Sequence, residues 1–476
     1  MPDSDLDLPL HWQPATLLAQ AIRARSLSAR QLTRHFLDRI ERAGELGAYA
    51  QLTAERALAQ AEAADRLLAA GIVLGPLHGV PVAIKDSLQW RGVPASLGSR
   101  ARRAGSDEPT SAAVQRLVAH GMPILGKTRM TEFAFGLSGQ NPTQGTARNP
   151  WDAVTARAPG GSSSGSGVAV AAGLAPLAVG GDTGGSVRAP AALNGLVGYK
   201  PSSGLVSRAG CLPLSDTLDV LGPIARTVAD ARLLTQVLAG PDGDDAITLA
   251  MAPAVQAALR RPRPYAPARV AWLQPRDWPC PLSAAAQADW DQTLARLARA
   301  GWQAEAWQAP AGLSFAQLAD DNSLVLAYEA WRHYGALAED PQQPLWQVVR
   351  GRILAGRDID TADYDAALAR RHAAQHAFEQ ALPAGVMLLM PAADQGARAL
   401  DDADLRHAGL GRLQRPANFL DAPAIVLPSG LDDEGMPLSL QALAPRGHDA
   451  TLLDAAQALA PLLAPGLRPD LSAWQL

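Results

Sequence analysis

The chain has 476 residues, among them 42 glycines and 37 prolines, and a formal net charge of −4. With no block of five or more like charges, this balance argues against a nucleic-acid surface or a polyanionic partner. Two cysteines, Cys211 and Cys280, are too few for a disulfide framework and lack the spacing of a zinc site.

The N-terminus, MPDSDLDLPLHW, carries acidic residues where a secretory leader would carry positive charge, so a cytoplasmic location is expected. The longest weakly polar stretch, 168–179, is broken by Gly173 and Pro176. It falls short of the ~20 residues that span a bilayer, so no membrane segment is expected.

Ser28 and Gln31 form a capping box ahead of Leu32, Phe36, Leu37 and Ile40, whose spacing predicts an amphipathic helix. A second helix is predicted over about 53–70, stopping at Gly71. Residues 1–71 thus read as a helical segment packed on a main domain of 72–476. The short apolar run 80–84 reads as a buried strand from which Lys85 emerges. A helix near 111–120 and a strand at 123–125 complete a β-α-β pattern, which argues for a largely parallel, buried sheet. Beyond it, 165–173 is small and apolar enough for a close-packed helix, 177–179 reads as a strand, and 186–193 as a helix entered from the turn GDTGGS. Residues 243–415 hold helical stretches such as 363–382, with Tyr364, Leu368 and Phe378, and are expected to shape a pocket. His372 and His376 are four apart but lack the glutamate of a zinc-binding H-E-x-x-H; neither a metal nor a cofactor is expected.

The chemistry concentrates in GGSSSGSGVAVAAGLAPLAVGGDTGGSVR, residues 160–188, where Ser162 and Ser186 lie in two glycine-cushioned clusters. Serine needs a neighbouring base to become a nucleophile, and glycines let backbone N–H groups approach a reacting carbonyl oxygen. No histidine lies between His120 and His333, and Ser186 lacks a G-x-S-x-G elbow, so a lysine is the remaining familiar activator. Lys85, at the end of a buried strand, would lose hydration and with it part of its affinity for a proton. A nucleotide-binding loop is excluded in detail: Gly165 and Gly167 would need a third glycine where Val170 stands, and no Gly-Lys-Ser/Thr step follows.

These residues resemble the amidase signature hydrolases. Lys85 lies in GVPVAIKD, Ser162 in GGSSSGSG and Ser186 in GDTGGSVR, matching that family's order and spacing for a Ser-Ser-Lys triad. GKTRMTEFAFG (126–136), NPTQGTARNPWD (141–152), GLVGYKPSSGLVSRAG (195–210), LDVLGPIARTVADA (218–231), NFLDAPAIVLPSG (418–430) and PLSLQALAPRGHDATLL (437–453) extend the resemblance over almost the whole chain. It implies an α/β fold with a largely parallel, mixed central sheet covered by helices on both faces. It further implies hydrolysis of the C–N bond of a small or medium amide, with esters or carbamates possible, through an acyl-enzyme on Ser186 activated by Ser162 and Lys85. The partner would be a small-molecule amide, with no nucleic acid or membrane, and the assembly a monomer or homodimer. Ser186, read at a helix N-terminus, suits a developing oxyanion, and the backbone N–H groups of Thr183, Gly184, Gly185 and Ser186 are the expected donors. Asp182 and Arg188 are expected to brace that turn, with Ser163 in a supporting role.

Two positions depart from the family's pattern. Ser164 stands where glycine is usual and narrows the loop beside Ser162. Asp421 also replaces a common glycine and reads as a surface charge flanking a helix rather than a group facing a pocket. The alternative function is the glutaminase subunit of a tRNA-dependent amidotransferase, which shares the triad. Relatives of that type read K-T-N-M-D-E-F-A-M-G where this chain has KTRMTEFAFG, so Arg129, Thr131 and Phe135 favour a free-standing amidase.

Overall fold

The computed structural model describes residues 8–103, 105, 107–251, 253–265, 269–405 and 409–476. The first strands are β1 (Tyr49–Leu52), β2 (Val82–Lys85), β3 (Ile124–Thr128), β4 (Leu177–Asp182), β5 (Val197–Lys200) and β6 (Val220–Ala225). They are followed by β7 (Arg269–Leu273), β8 (Gln303–Trp307), β9 (Met387–Pro391), β10 (Ala424–Leu431) and β11 (Pro437–Leu443). All join one eleven-stranded sheet in the order β1-β3-β2-β4-β6-β5-β10-β11-β9-β7-β8.

The mixed α/β architecture is as expected, but the balance of strand directions is not. Four neighbouring pairs are parallel and six antiparallel, so "largely parallel" is corrected. The β-α-β pattern holds only at the flanks, β3-β2-β4 and β9-β7-β8. The centre is antiparallel; there β10 and β11 are joined by a tight turn in which Asp432 N–H donates to the Met436 carbonyl at 2.9 Å. A short turn can join only antiparallel neighbours, whereas parallel ones need a long crossover. Strands β2, β3, β5, β6, β9 and β11 are buried along their whole length, which requires cover on both faces.

The helix Ala29–Arg42 starts at the expected Ser28–Gln31 capping box and buries Leu32, Phe36, Leu37 and Ile40. Arg39 reaches from it to the carbonyls of Ala172 and Gly173, at 3.1 and 2.9 Å, fastening the N-terminal helices to the helix Ser164–Ala171 and its following turn. One apolar cluster brings together residues as far apart as Ala15 and Trp474, and two smaller ones include Phe315 and Leu410.

Strand β2 begins two residues later than predicted and takes in Lys85. Val80 N–H closes a turn on the Leu77 carbonyl at 3.0 Å and Pro81 has no N–H to give, so pairing starts at Val82. The shift matters, because Lys85 becomes the last paired residue of a strand flanked on both sides by β3 and β4.

Candidate active site

Lys85 is buried, and its Nζ donates to Ser162 Oγ at 2.7 Å and to the Gly181 carbonyl at 3.2 Å. Burial lowers its pKa to about 8, against the opposing pull of Asp219 and Asp182. Lys127 and Lys200 are also fully buried, and burial lowers each to about 8. Depression alone therefore does not single out Lys85; position does. Lys127 stands 3.8 Å from Asp86 and Lys200 donates to the Pro201 carbonyl, so of the three only Lys85 meets a serine hydroxyl.

Ser162 and Ser163 precede the helix Ser164–Ala171, and the Gly161–Ser162 peptide bond is cis. Ser163 N–H donates to the Ser186 carbonyl at 3.2 Å and its hydroxyl to the Gly181 carbonyl at 3.2 Å, which ties the two serine clusters together. Among the described residues no hydrogen bond joins Ser162 Oγ to Ser186 Oγ; such contacts commonly tighten only when substrate is bound. Ser164 turns its hydroxyl to the Arg129 carbonyl at 3.4 Å and does not line the cavity described below.

The turn carrying Ser186 is held from beneath by Asp182. Its carboxylate accepts N–H bonds from Gly185 at 2.8 Å and Val187 at 3.0 Å, the guanidinium of Arg188 at 3.0 and 3.1 Å, and the Asn418 amide at 2.9 Å. Burial by itself would raise Asp182, but the charge and hydrogen bonds of Arg188, with Asn418 and Val187, hold it well below the usual carboxylate range. Arg188 completes its own valences on the Gln414 carbonyl at 2.8 Å and Gln441 Oε1 at 3.1 Å.

Two expectations about this turn are corrected. The helix begins at Arg188, after Val187, and is only six residues long, so Ser186 lies in the turn and not at a helix N-terminus. Asp182 accepts the N–H groups of Val187 and Arg188, which at the start of a helix have no intrahelical acceptor, and so caps the helix just after Ser186. Gly185 leaves the donor set for the same reason, its N–H being committed to Asp182. The N–H groups of Thr183, Gly184 and Ser186 have no protein partner among the described residues. Gly185 itself is required by its φ of +120°, where a Cβ would also lie 2.5 Å from that of Gln414.

Asp421 is buried rather than on the surface. It pairs with Arg446 at 2.8 Å and accepts Ser203 N–H at 2.9 Å, partners too distant in sequence to be anticipated.

Ser186, Thr183 and Gly184 open into a cavity of about 330 Å³. Its wall includes Phe135, Leu326 and Leu410, together with Arg352 and Arg415. A second cavity of about 260 Å³ takes in Lys85, Cys211 and Asp219 and shares Thr183 with the first. Sequence reasoning missed Asp219, which accepts the Thr183 hydroxyl and bears on Lys85, and Asn322, whose amide donates to the Thr183 carbonyl at 3.4 Å. Among the described residues no three His, Cys, Asp or Glu side chains are grouped so as to hold a metal ion, and no helix is long and apolar enough to cross a membrane.

This arrangement can relay a proton from a serine hydroxyl to an uncharged lysine beside a set of backbone donors, which is what acyl transfer requires. Residues 31–453 match the sequence profile of the family described as Amidase, and the chain belongs to that family. Over 233 residues it is 49% identical to the A subunit of the glutamyl-tRNA(Gln) amidotransferase of Cupriavidus necator, a match covering 49% of this chain and 46% of that protein. The chain spans about half the length of the curated relatives it matches. A solved amidase superimposes with a TM-score of 0.84 at 30% identity, over 95% of this chain and 100% of the other. The peptide amidase of Stenotrophomonas maltophilia does so with a TM-score of 0.80 at 28% identity, over 96% and 99%.

If Lys85 is the base, kcat/KM should rise about tenfold per pH unit below its pKa of about 8 and level off above it, as the ammonium loses its proton. Asp219→Asn removes a charge that raises Lys85 and should move the profile to lower pH. A profile flat across neutral pH, or one unmoved in Asp219→Asn, would contradict this assignment.

Proposed function

We propose that the protein is an amidase that cleaves the C–N bond of a small or medium amide through an acyl-enzyme on Ser186. The observation that carries this reading is the buried, depressed Lys85 with its Nζ 2.7 Å from Ser162 Oγ. Uncharged Lys85 takes the Ser162 proton while Ser162 takes that of Ser186, whose Oγ bonds to the carbonyl carbon. The N–H groups of Thr183, Gly184 and Ser186 receive the oxyanion. Collapse breaks the C–N bond, and the proton returns through Ser162 to the leaving nitrogen. Water then repeats the relay, freeing the acid and Ser186. Asp182 and Arg188 hold the turn, and Ser163 ties it to Ser162. Esters and carbamates fit the same steps. The enzyme works as a cytoplasmic monomer or homodimer without a cofactor.

A second reading, the glutaminase component of an amidotransferase, is favoured by the 49% identity to such a protein over half of the chain. Against it stand the near full-length likeness to a solved amidase and a peptide amidase, and Arg129, Thr131 and Phe135 in the 126–136 segment. Purified protein without partners, assayed on aliphatic amides, anilides, glutamine and aryl carbamates, separates the two. Turnover of simple amides supports the amidase; activity confined to glutamine supports the amidotransferase component.

A further inference from the structure

The cavity holding Ser186 carries a cation for which the reaction chemistry has no use. Arg415, on the helix Leu410–Phe419, lines that cavity, and its side chain crosses the reactive turn. A Cβ placed on Gly184 would stand 3.2 Å from Arg415 Cγ and 3.9 Å from its Nε. The guanidinium then lies over Gly411, where a Cβ would come within 3.1 Å of Cζ. Two glycines thus clear the path of this side chain, one of them a backbone donor expected at the oxyanion.

Among the described residues Arg415 has no carboxylate partner, unlike its neighbours. Arg412 pairs with Asp320 at 2.8 Å and Arg398 with Asp402 at 3.0 Å. Asp394, the acid in the same wall, has its Oδ2 held by Gly409 N–H at 3.0 Å and by the Gln395 amide at 3.1 Å. Burial, then the charges of Arg352 and Arg412, lower Arg415 to about 10, so it remains a cation at neutral pH. The Arg415 side chain is partly shielded at the cavity wall, and a bound carboxylate would meet its guanidinium in a bidentate, charge-assisted pair.

We propose that Arg415 is a specificity-determining residue and that the amide substrate carries a carboxylate a few bonds from the scissile carbonyl. The proposal rests on the reading of Ser186 as the nucleophile of an amidase. A carboxylate on the acyl side and one on the leaving-amine side share this chemistry, and the assay distinguishes them.

The test compares kcat/KM for glutaramate, with its carboxylate on the acyl side, N-butyryl-β-alanine, with it on the amine side, and neutral pentanamide. One of the anionic amides should exceed pentanamide by about tenfold or more, and Arg415→Gln should reduce that preference about 10–100-fold, chiefly through KM. Arg415→Lys, which keeps the charge but not the fork, should retain part of it. Equal rates for the neutral and anionic amides, or an Arg415→Gln loss that falls on kcat for all three alike, would overturn the anion subsite while leaving the amidase standing. If no amide is cleaved, glutarate protection of Ser186 against a fluorophosphonate, lost in Arg415→Gln, would support the subsite and count against the amidase. Absence of that protection would overturn the subsite.

Discussion

Lys85→Met, which nearly keeps the side-chain volume, should lower kcat by about 10²–10⁴-fold, the usual cost of removing a positioned general base. Ser162→Ala should be comparably damaging, because Lys85 Nζ donates to Ser162 Oγ and to the Gly181 carbonyl, while no hydrogen bond links it to Ser186. Groups that act as one unit are strongly non-additive, so the Lys85→Met/Ser162→Ala double variant should be little slower than the poorer single variant. Steady-state kinetics on the three proteins, each with a melting curve to show that it is folded, gives the answer. Losses that multiply would mean that the two groups act independently and that no Lys85–Ser162–Ser186 relay operates.

Arg188→Met should cost about 3–5 kcal/mol of stability, read by urea denaturation, because it strands the Asp182 carboxylate in a buried site. Both side chains are wholly shielded from solvent, and Arg188 gives Asp182 two of its hydrogen bonds. Adding Asp182→Asn removes the stranded charge and should recover part of the stability. It should not recover activity, because the N–H groups of Gly185 and Val187 lose the carboxylate that sets the turn. A loss below about 1 kcal/mol for Arg188→Met, within the range of an exposed pair, would show that the brace is not needed.

The parts of the site that were legible in the sequence are those whose cause is local. An apolar run of 80–84 hides whatever follows it, and Lys85 follows it. The Ser28–Gln31 box fixed a helix start within one turn. What escaped depends on partners far along the chain. Arg188 reaches Gln414 and Gln441 across 226 and 253 positions, and Asp421 meets Ser203 across 218. Nothing beside Asp421 announces that it will be buried in an ion pair with Arg446. Arg415 likewise reads as one more polar residue of a helix, since its place over Gly184 exists only after folding. The antiparallel centre was missed for a mixed reason. The β10–β11 hairpin has a local signal in the polar turn from Asp432 to Gly435, whereas the pairing of β5 with β10 spans more than two hundred residues and has none.

The central claim is that Ser186 carries the acyl group under activation by Lys85, and covalent labelling tests it most directly. Purified protein treated with a fluorophosphonate and digested should yield one adduct, mapped by peptide mass spectrometry to Ser186. Its rate of formation should rise with pH through about 8, the pKa to which burial lowers Lys85, and collapse in Lys85→Met. An adduct on Ser162 or Ser163, or labelling of Ser186 that proceeds at the same rate without Lys85, would contradict the account.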